Sequence, residues 1–243
     1  MQDEFPFPRR QAIRGIMRAL IRAAFAVLSD LHIEGLENIP TQGPALLVMN
    51  HFSYLDPVLM IRVVSRPMEF MGSPIMPNAP FHVRWLAHLW GVYPVFRGTG
   101  SRVALRAAEA ILSKGGLLGL APEGGSWATV LRPPRPGAAF VAARTGVPVI
   151  PMGFDGLIDL FPMLRQGHRA KVTARIGKPC GPFAAEGTGR ERRAQLDEIG
   201  HEIMRAIAEL VPPEYHGYYS TNPDLREAAR GTEIYPWENA PEL

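Results

Sequence analysis

The chain has 243 residues, a formal net charge of +3 and one cysteine, Cys180. This length is enough for one sizeable α/β core. The lone cysteine excludes an intramolecular disulfide and a cysteine-rich metal cluster, and its place after Pro179, without a surrounding motif, argues against a nucleophile.

The N-terminal residues have the pattern of a basic amphipathic helix. Aliphatic residues recur there at steps of three and four, interleaved with Arg9, Arg10, Arg14, Arg18 and Arg22. No uninterrupted apolar run reaches the roughly 18 to 20 residues that span a bilayer, and the regular arginines argue against a signal peptide. The helix either packs its apolar face on the domain or lies on anionic lipid, where each basic residue adds about 1 kcal/mol. We expect residues 1–32 to form a membrane-associating segment.

Apolar runs and helical patterns alternate along the rest of the chain. They predict strands over 45–49, 68–71, 117–121, 147–152 and 171–176. They predict helices over 57–64, 79–90, 101–113, 137–145 and 190–210. Such alternation is typical of an α/β fold with a mixed, largely parallel sheet that helices cover on both faces. We therefore predict one central α/β domain over 33–211 and a C-terminal extension over 212–243, which has little periodicity and either wraps the domain or frays.

One motif joins the first predicted strand to the next helix and carries a histidine and a carboxylate. It reads Asn-His-Phe-Ser-Tyr-Leu-Asp-Pro over residues 50–57. Histidine is suited to take a proton at neutral pH, and a carboxylate can orient it. Five residues separate two side chains by about 140° on an ideal helix, so His51 and Asp56 converge only if His51 lies in the loop and Asp56 begins the helix. Alternatively, Asp56 before Pro57 is only a helix cap.

Two further candidates also follow apolar, strand-like runs. Functional groups of an open α/β sheet collect at the carboxyl ends of its strands, so we expect Arg97 and Glu123 to approach His51 there. Arg97 precedes glycines and suits a phosphate, or it pairs with a surface carboxylate. Glu123 precedes Gly124 and Gly125, which let backbone amides approach a ligand, or it lies in an ordinary surface turn.

Four blocks in order resemble those of the glycerolipid acyltransferase family, which includes the lysophosphatidic acid acyltransferases. The blocks are His51 with Asp56, Gly-Val-Tyr-Pro-Val-Phe-Arg over 91–97, Ala-Pro-Glu-Gly over 121–124, and Val-Pro-Val-Ile-Pro over 147–151. The similarity extends from residue 34 to residue 179. The resemblance implies that His51 is the general base and that Asp56 orients it.

The resemblance also implies roles in substrate binding. Glu123 would hold the hydroxyl end of the acceptor, Gly124 would shape the turn, and Arg97 would bind a phosphate. Many members continue the third block with Thr and Arg, whereas this chain has Gly125 and Ser126. Arg132 or Arg135 would replace part of the missing charge, and we take Arg135 as a substrate-binding candidate.

The reaction that the resemblance implies is direct transfer of a fatty acyl group from acyl-CoA or acyl-ACP to the hydroxyl of a lysophospholipid. The foremost acceptor is 1-acylglycerol-3-phosphate, which would give phosphatidic acid. We predict no cofactor, no metal and no nucleic acid. The expected partners are the acyl thioester, the lysolipid, an anionic membrane surface and acyl carrier protein, with the chain peripheral on the cytoplasmic face. The alternatives are another lysolipid or glycolipid acceptor, or a membrane-bound lipid-binding homologue without turnover.

Overall fold

A computed structural model describes residues 4–73, 80–95, 102–234 and 236. Its helices are α1 (Gln11–Leu28), α2 (Asp56–Val63), α3 (Phe81–Trp90), α4 (Arg102–Ser113), α5 (Pro136–Thr145), α6 (Leu160–Arg165), α7 (Gly189–Ala208) and α8 (Pro223–Ala229). Its strands are β1 (Ser29–Glu34), β2 (Ala45–Met49), β3 (Met68–Gly72), β4 (Tyr93–Pro94), β5 (Leu117–Leu120), β6 (Val149–Asp155) and β7 (Ala170–Ile176).

The strands of the described residues form one seven-stranded sheet in the order β1-β7-β6-β2-β5-β3-β4. Neighbouring strands are parallel, except that β6 and β7 are antiparallel. Every residue of the central strand β2 is buried, which explains its continuous apolar run, because a parallel strand is covered on both faces. The predicted α/β fold with a mixed, largely parallel sheet is confirmed.

Two apolar clusters cover the two faces of the sheet. One contains core residues of α1, α2, α3 and α6. The other contains core residues of α4, α5 and α7. The loops that follow the carboxyl ends of β2 and β5 therefore emerge between two helical layers.

The predicted strands and helices agree with the structure to within about three residues at the described ends. The predicted starts of α3 and α4, at 79 and 101, lie outside the described residues. The sequence prediction missed the short elements β1, β4, α6 and α8. Strand β1 was missed because it follows α1 directly, without a breaker, and alternates buried and exposed residues at the edge of the sheet.

Helix α1 docks on the domain through arginine. Arg14 is buried and its guanidinium donates to both carboxylate oxygens of Glu69, each at 2.6 Å. Glu69 lies in β3, is fully buried, and also accepts from Arg9. Arg18 donates to the carbonyls of Val64 and Arg66. Three of the basic residues expected at a membrane surface thus hold α1 against the sheet.

The outward side of α1 is mainly aliphatic. The exposed large hydrophobic side chains of this helix are Ile13, Ile16, Leu20, Val27 and Leu28, and the exposed fraction of Val27 reaches 69%. Met17, Ile21 and Phe25 face the core instead. The helix therefore presents an apolar surface to its surroundings while most of its arginines face the protein. No described helix is both long and apolar enough to cross a bilayer.

Candidate active site

The site lies where β2 and β5, parallel neighbours, end at the same edge of the sheet. Asn50, directly after β2, is fully buried. Its side-chain amide donates to the carbonyl of Phe154 at 2.9 Å and accepts from the N–H of Phe154 at 2.7 Å. This pair of bonds ties the end of β2 to β6, so the loop that begins at His51 starts from a fixed point.

His51 and Asp56 contact each other at that loop. Nδ1 of His51 lies 3.0 Å from Oδ2 of Asp56, and the side chains are 16% and 2% exposed. The same oxygen accepts from the N–H of Ser53 at 2.7 Å. Helix α2 begins at Asp56, but no side chain caps it. The Asp56 carboxylate therefore binds the loop and the histidine, and does not serve as the cap of α2.

The contact determines which nitrogen of His51 can accept a proton. Because Nδ1–H donates to the carboxylate, the neutral ring has its lone pair on Nε2. Burial raises the pKa of the Asp56 carboxyl, while the hydrogen bond from His51 opposes that rise. A buried carboxylate at this distance also stabilises the imidazolium once it forms. The pair is thus suited to remove a proton from a hydroxyl group.

Glu123 follows β5 and lies beneath the histidine loop. Its Oε1 accepts from the backbone N–H of His51 at 2.9 Å, and its Oε2 accepts from Nε of Arg132 at 3.1 Å. The Glu123 side chain is fully buried and that of Arg132 is 1% exposed. Burial raises the pKa of the Glu123 carboxyl, and the Arg132 charge opposes the rise. Glu123 therefore contacts His51, as predicted, but it binds the backbone N–H of His51 and not its ring.

Gly124 makes the turn that the sequence assigned to it. Its φ is +80°, in the left-handed region that favours glycine, and a Cβ there would lie 3.1 Å from Cγ of Arg135. Its N–H donates to the carbonyl of Ala121 at 3.1 Å. Arg135 itself is exposed and donates to the carbonyl of Glu233 at 3.1 Å. Arg97 lies outside the described residues.

A cleft of about 170 Å³ opens beside this loop. The residues that line it are apolar, aromatic or hydroxyl-bearing: Phe52, Ser53, Tyr54, Ser126, Leu157, Ile158 and Phe161. The rings of Tyr54 and Phe161 stack with centroids 6.5 Å apart. Because Phe52 and Ser53 directly follow His51, an apolar group in the cleft would lie next to the histidine loop.

Sequence reasoning missed the residues that support this site from the C-terminal extension. The indole N–H of Trp127 donates to the carbonyl of Thr232 at 2.7 Å. Tyr215 packs on the ring of Phe52 at 5.7 Å, and its carbonyl accepts from the N–H of Leu131 at 2.8 Å. The extension therefore wraps the loop that contains Glu123. The only signal in the sequence was the aromatic content of both segments.

The lone cysteine does not add a nucleophile to this site. Burial raises the pKa of the Cys180 thiol to about 11, so the thiol is protonated at neutral pH, which disfavours a nucleophile. Among the described residues, no group of three or more His, Cys, Asp or Glu side chains is placed to hold a metal ion.

Three comparisons place this geometry among known proteins. A family model described as Acyltransferase matches residues 30–155, just over half of the 243 residues. The 1-acyl-sn-glycerol-3-phosphate acyltransferase LPAT1, chloroplastic, of Arabidopsis thaliana is 31% identical over 181 residues, which cover 69% of this chain and 48% of that protein. The similar protein BAT2, chloroplastic, of Brassica napus is 31% identical over 172 residues, with 68% and 49% covered.

The fold comparison agrees with the sequence comparisons. The crystal structure of the 1-acyl-sn-glycerophosphate (LPA) acyltransferase PlsC from Thermotoga maritima matches with a TM-score of 0.54 and 25% identity, over 84% of this chain and 83% of that one. The chain spans about half the length of the curated plant relatives that it matches.

Proposed function

Because the chain belongs to the Acyltransferase family, we propose that it transfers a fatty acyl group from an acyl thioester to the free hydroxyl of a lysophospholipid. The donor is acyl-CoA or acyl-ACP, and the foremost acceptor is 1-acylglycerol-3-phosphate. The proposal draws on the names of the similar plant and Thermotoga maritima proteins. The observation that carries it is the contact of 3.0 Å between Nδ1 of His51 and the buried carboxylate of Asp56.

In the proposed mechanism, Nε2 of His51 takes the proton of the acceptor hydroxyl. The hydroxyl oxygen attacks the thioester carbon, the carbon–sulfur bond breaks, and the thiolate leaves with the proton that His51 held. Asp56 holds the ring and stabilises its positive charge. These steps need one base and no acyl-enzyme. The cleft lined by Phe52, Leu157 and Phe161 suits the apolar chain of one of the two substrates.

The acceptor headgroup is the least constrained part of the proposal. A phosphate would meet Arg97 and Arg135, the latter exposed and close to the Gly124 turn. Ser126 stands where many relatives have an arginine, and this difference favours a second candidate, transfer to a neutral lysolipid or a glycolipid. Paired guanidinium donors hold a phosphate far better than hydroxyls do. An acceptor panel therefore separates the two candidates.

We further propose that the protein binds a membrane peripherally through the outward side of α1. Ile16 and Leu20 are 64% and 65% exposed on that side, and exposed apolar patches of this kind mark interaction surfaces. Arg22 is also exposed and suits anionic lipid, which is abundant in the cytoplasmic leaflet. Lipid acceptors would then reach the site from the bilayer.

The test uses the full chain, an acyl thioester donor and a panel of lysophosphatidic, neutral lysolipid and glycolipid acceptors. Thiol release that depends on an acceptor and on His51 would support the proposal, with mass spectrometry of the product lipid to identify the ester. Equal rates with phosphate-bearing and neutral acceptors would favour the second candidate. If the folded protein, assayed on vesicles, transfers an acyl group to none of these acceptors, the proposed function is contradicted.

A further inference from the structure

We propose that Arg132 is a positioning residue, which acts through Glu123 on the backbone N–H of His51 and so fixes the catalytic loop. The inference rests on the proposed function for its kinetic test, and it deepens the account of the same site. The sequence indicates Arg132 only as one of two replacements for a missing phosphate-binding charge, and the comparisons assign it no role.

The argument starts from a continuous series of contacts. Nε of Arg132 donates to Oε2 of Glu123 at 3.1 Å, and Oε1 of Glu123 accepts from the N–H of His51 at 2.9 Å. Arg132 also donates to the carbonyl of Gly125. The guanidinium thereby holds the turn after β5, and Glu123 joins that turn to the loop after β2. These are the two segments that form the site.

The position of Arg132 is itself fixed by its surroundings. Its guanidinium carbon lies 3.8 Å from the centroid of the Trp127 ring, a stacking geometry that suits arginine and not lysine. The indole N–H of Trp127 in turn donates to the carbonyl of Thr232 at 2.7 Å. The C-terminal extension therefore holds Trp127 against Arg132, and Arg132 against Glu123.

The electrostatics explain why the arginine matters to His51. Glu123 is fully buried, so its negative charge cannot be compensated by water. Without the cation, the carboxyl would take up a proton or turn away. A protonated Glu123 is a weaker acceptor for the His51 N–H. The histidine loop would then lose the bond that holds its first residue, and misplacement by about 1 Å can cost roughly 100-fold in rate.

Burial also distinguishes this role from phosphate binding. The Arg132 side chain is 1% exposed, so the fork of the guanidinium is closed off from a substrate in this structure. This chain has Ser126 where many family members have an arginine. Arg132 supplies a positive charge nearby, but that charge pairs with Glu123. Substrate phosphate would be left to exposed cations such as Arg135.

The experiment compares Arg132→Met, Arg132→Lys, Glu123→Gln and the double variant Arg132→Met/Glu123→Gln in the full chain. We expect Arg132→Met to lower kcat by about 10- to 100-fold, with KM nearly unchanged and the same factor for phosphate-bearing and neutral acceptors. Arg132→Lys keeps the charge without the stacked fork and should recover part of kcat. The kcat of the double variant should exceed that of Arg132→Met, because a glutamine carbonyl accepts from the N–H of His51 without needing a cation.

The matched control applies the same changes to an exposed pair. Arg144→Met, alone and with Glu109→Gln, removes a surface contact of 2.7 Å and should leave kcat unchanged. The second readout is the amide signal of His51 in protein labelled with ¹⁵N-histidine, identified by its loss in His51→Gln. We expect this signal to shift in Arg132→Met and to return towards its original position in Arg132→Lys.

Three results would overturn the inference. A rise of KM for phosphate-bearing acceptors alone, with kcat unchanged, would make Arg132 a substrate ligand. An unshifted His51 amide in Arg132→Met, or in Glu123→Gln if the methionine variant does not fold, would refute the positioning role. A double variant with a kcat no higher than that of Arg132→Met would refute the idea that the uncompensated charge of Glu123 causes the loss. If the unchanged protein transfers no acyl group, the proposed function fails, while the amide shift still decides the positioning role.

Discussion

The perturbation that tests the site most directly is Asp56→Asn. Oδ2 of Asp56 accepts from both His51 and Ser53, and the side chain is 2% exposed, so water cannot replace the lost charge. Two charges about 4 Å apart interact by about 4 kcal/mol at an effective dielectric constant of 20. An asparagine carbonyl retains about 1 kcal/mol of that as an ordinary hydrogen bond.

The difference, about 3 kcal/mol, corresponds to a loss of roughly 100-fold in kcat. If the asparagine amide turns its N–H₂ towards Nδ1, the ring takes the wrong tautomer and the loss approaches about 10⁴-fold. His51→Ala should lose at least as much, and the double variant should cost little more than the worse single one. Independent, multiplying losses would contradict the idea that the two residues act as one unit.

The assay is thiol release at saturating acceptor, with far-ultraviolet circular dichroism to verify the fold. Asp224→Asn is the matched control, because Asp224 is an exposed aspartate in the first turn of α8, and it should be silent. Asparagine caps a helix about as well as aspartate. A loss of less than about threefold in Asp56→Asn would therefore refute the reasoning and leave Asp56 a purely structural residue.

The pH dependence of stability gives an independent measurement on Asp56. Burial raises the pKa of its carboxyl, so the folded state binds this proton more tightly than the unfolded state, where the pKa is about 3.9. The stabilising contribution is full below the unfolded pKa and is lost as pH rises through the folded pKa. In urea unfolding, the unchanged protein should lose stability relative to Asp56→Asn as pH rises from about 4. A pH-independent difference would contradict the raised pKa.

Two further variants test α1. Arg14→Met leaves Glu69 buried with only Arg9 as its cation. We therefore expect the free energy of unfolding in urea to fall by about 3 kcal/mol, near the lower end of the 3 to 5 kcal/mol typical of broken buried pairs. An unchanged midpoint would show that the pair does not hold the helix. Ile16→Glu and Leu20→Glu should each weaken sedimentation with vesicles by roughly tenfold at unchanged thermal stability, whereas Val103→Glu on the opposite helical layer should not.

Helix α1 shows that sequence periodicity predicts a helix but not the direction in which each of its sides faces. The steps of three and four residues correctly predict a helix with two faces. They do not reveal which face meets the protein, because that depends on Glu69, a buried carboxylate in a strand 55 residues away from Arg14. An unpaired buried charge is costly, so this carboxylate draws Arg14 inward, on the same side of the helix as Met17, Ile21 and Phe25. Ile13, Ile16 and Leu20 are left outward, and the expected electrostatic contact with a membrane becomes mainly an apolar one.

Some contacts of the site also follow from residues close in sequence, and others depend on distant segments. The contact of His51 with Asp56 follows from a strand exit and a helix start five residues apart, which a sequence displays. The contact of Glu123 with His51 follows from β2 and β5 being neighbours, which alternation of strands and helices permits but does not specify. The sequence indicates Arg132 only as a replacement charge for a phosphate, since its burial against Trp127 depends on a C-terminal extension without periodicity. The extension reaches the catalytic loop through Trp127, Arg132 and Glu123, and its Tyr215 also packs on Phe52. Its removal should therefore lower kcat at least as much as Arg132→Met does.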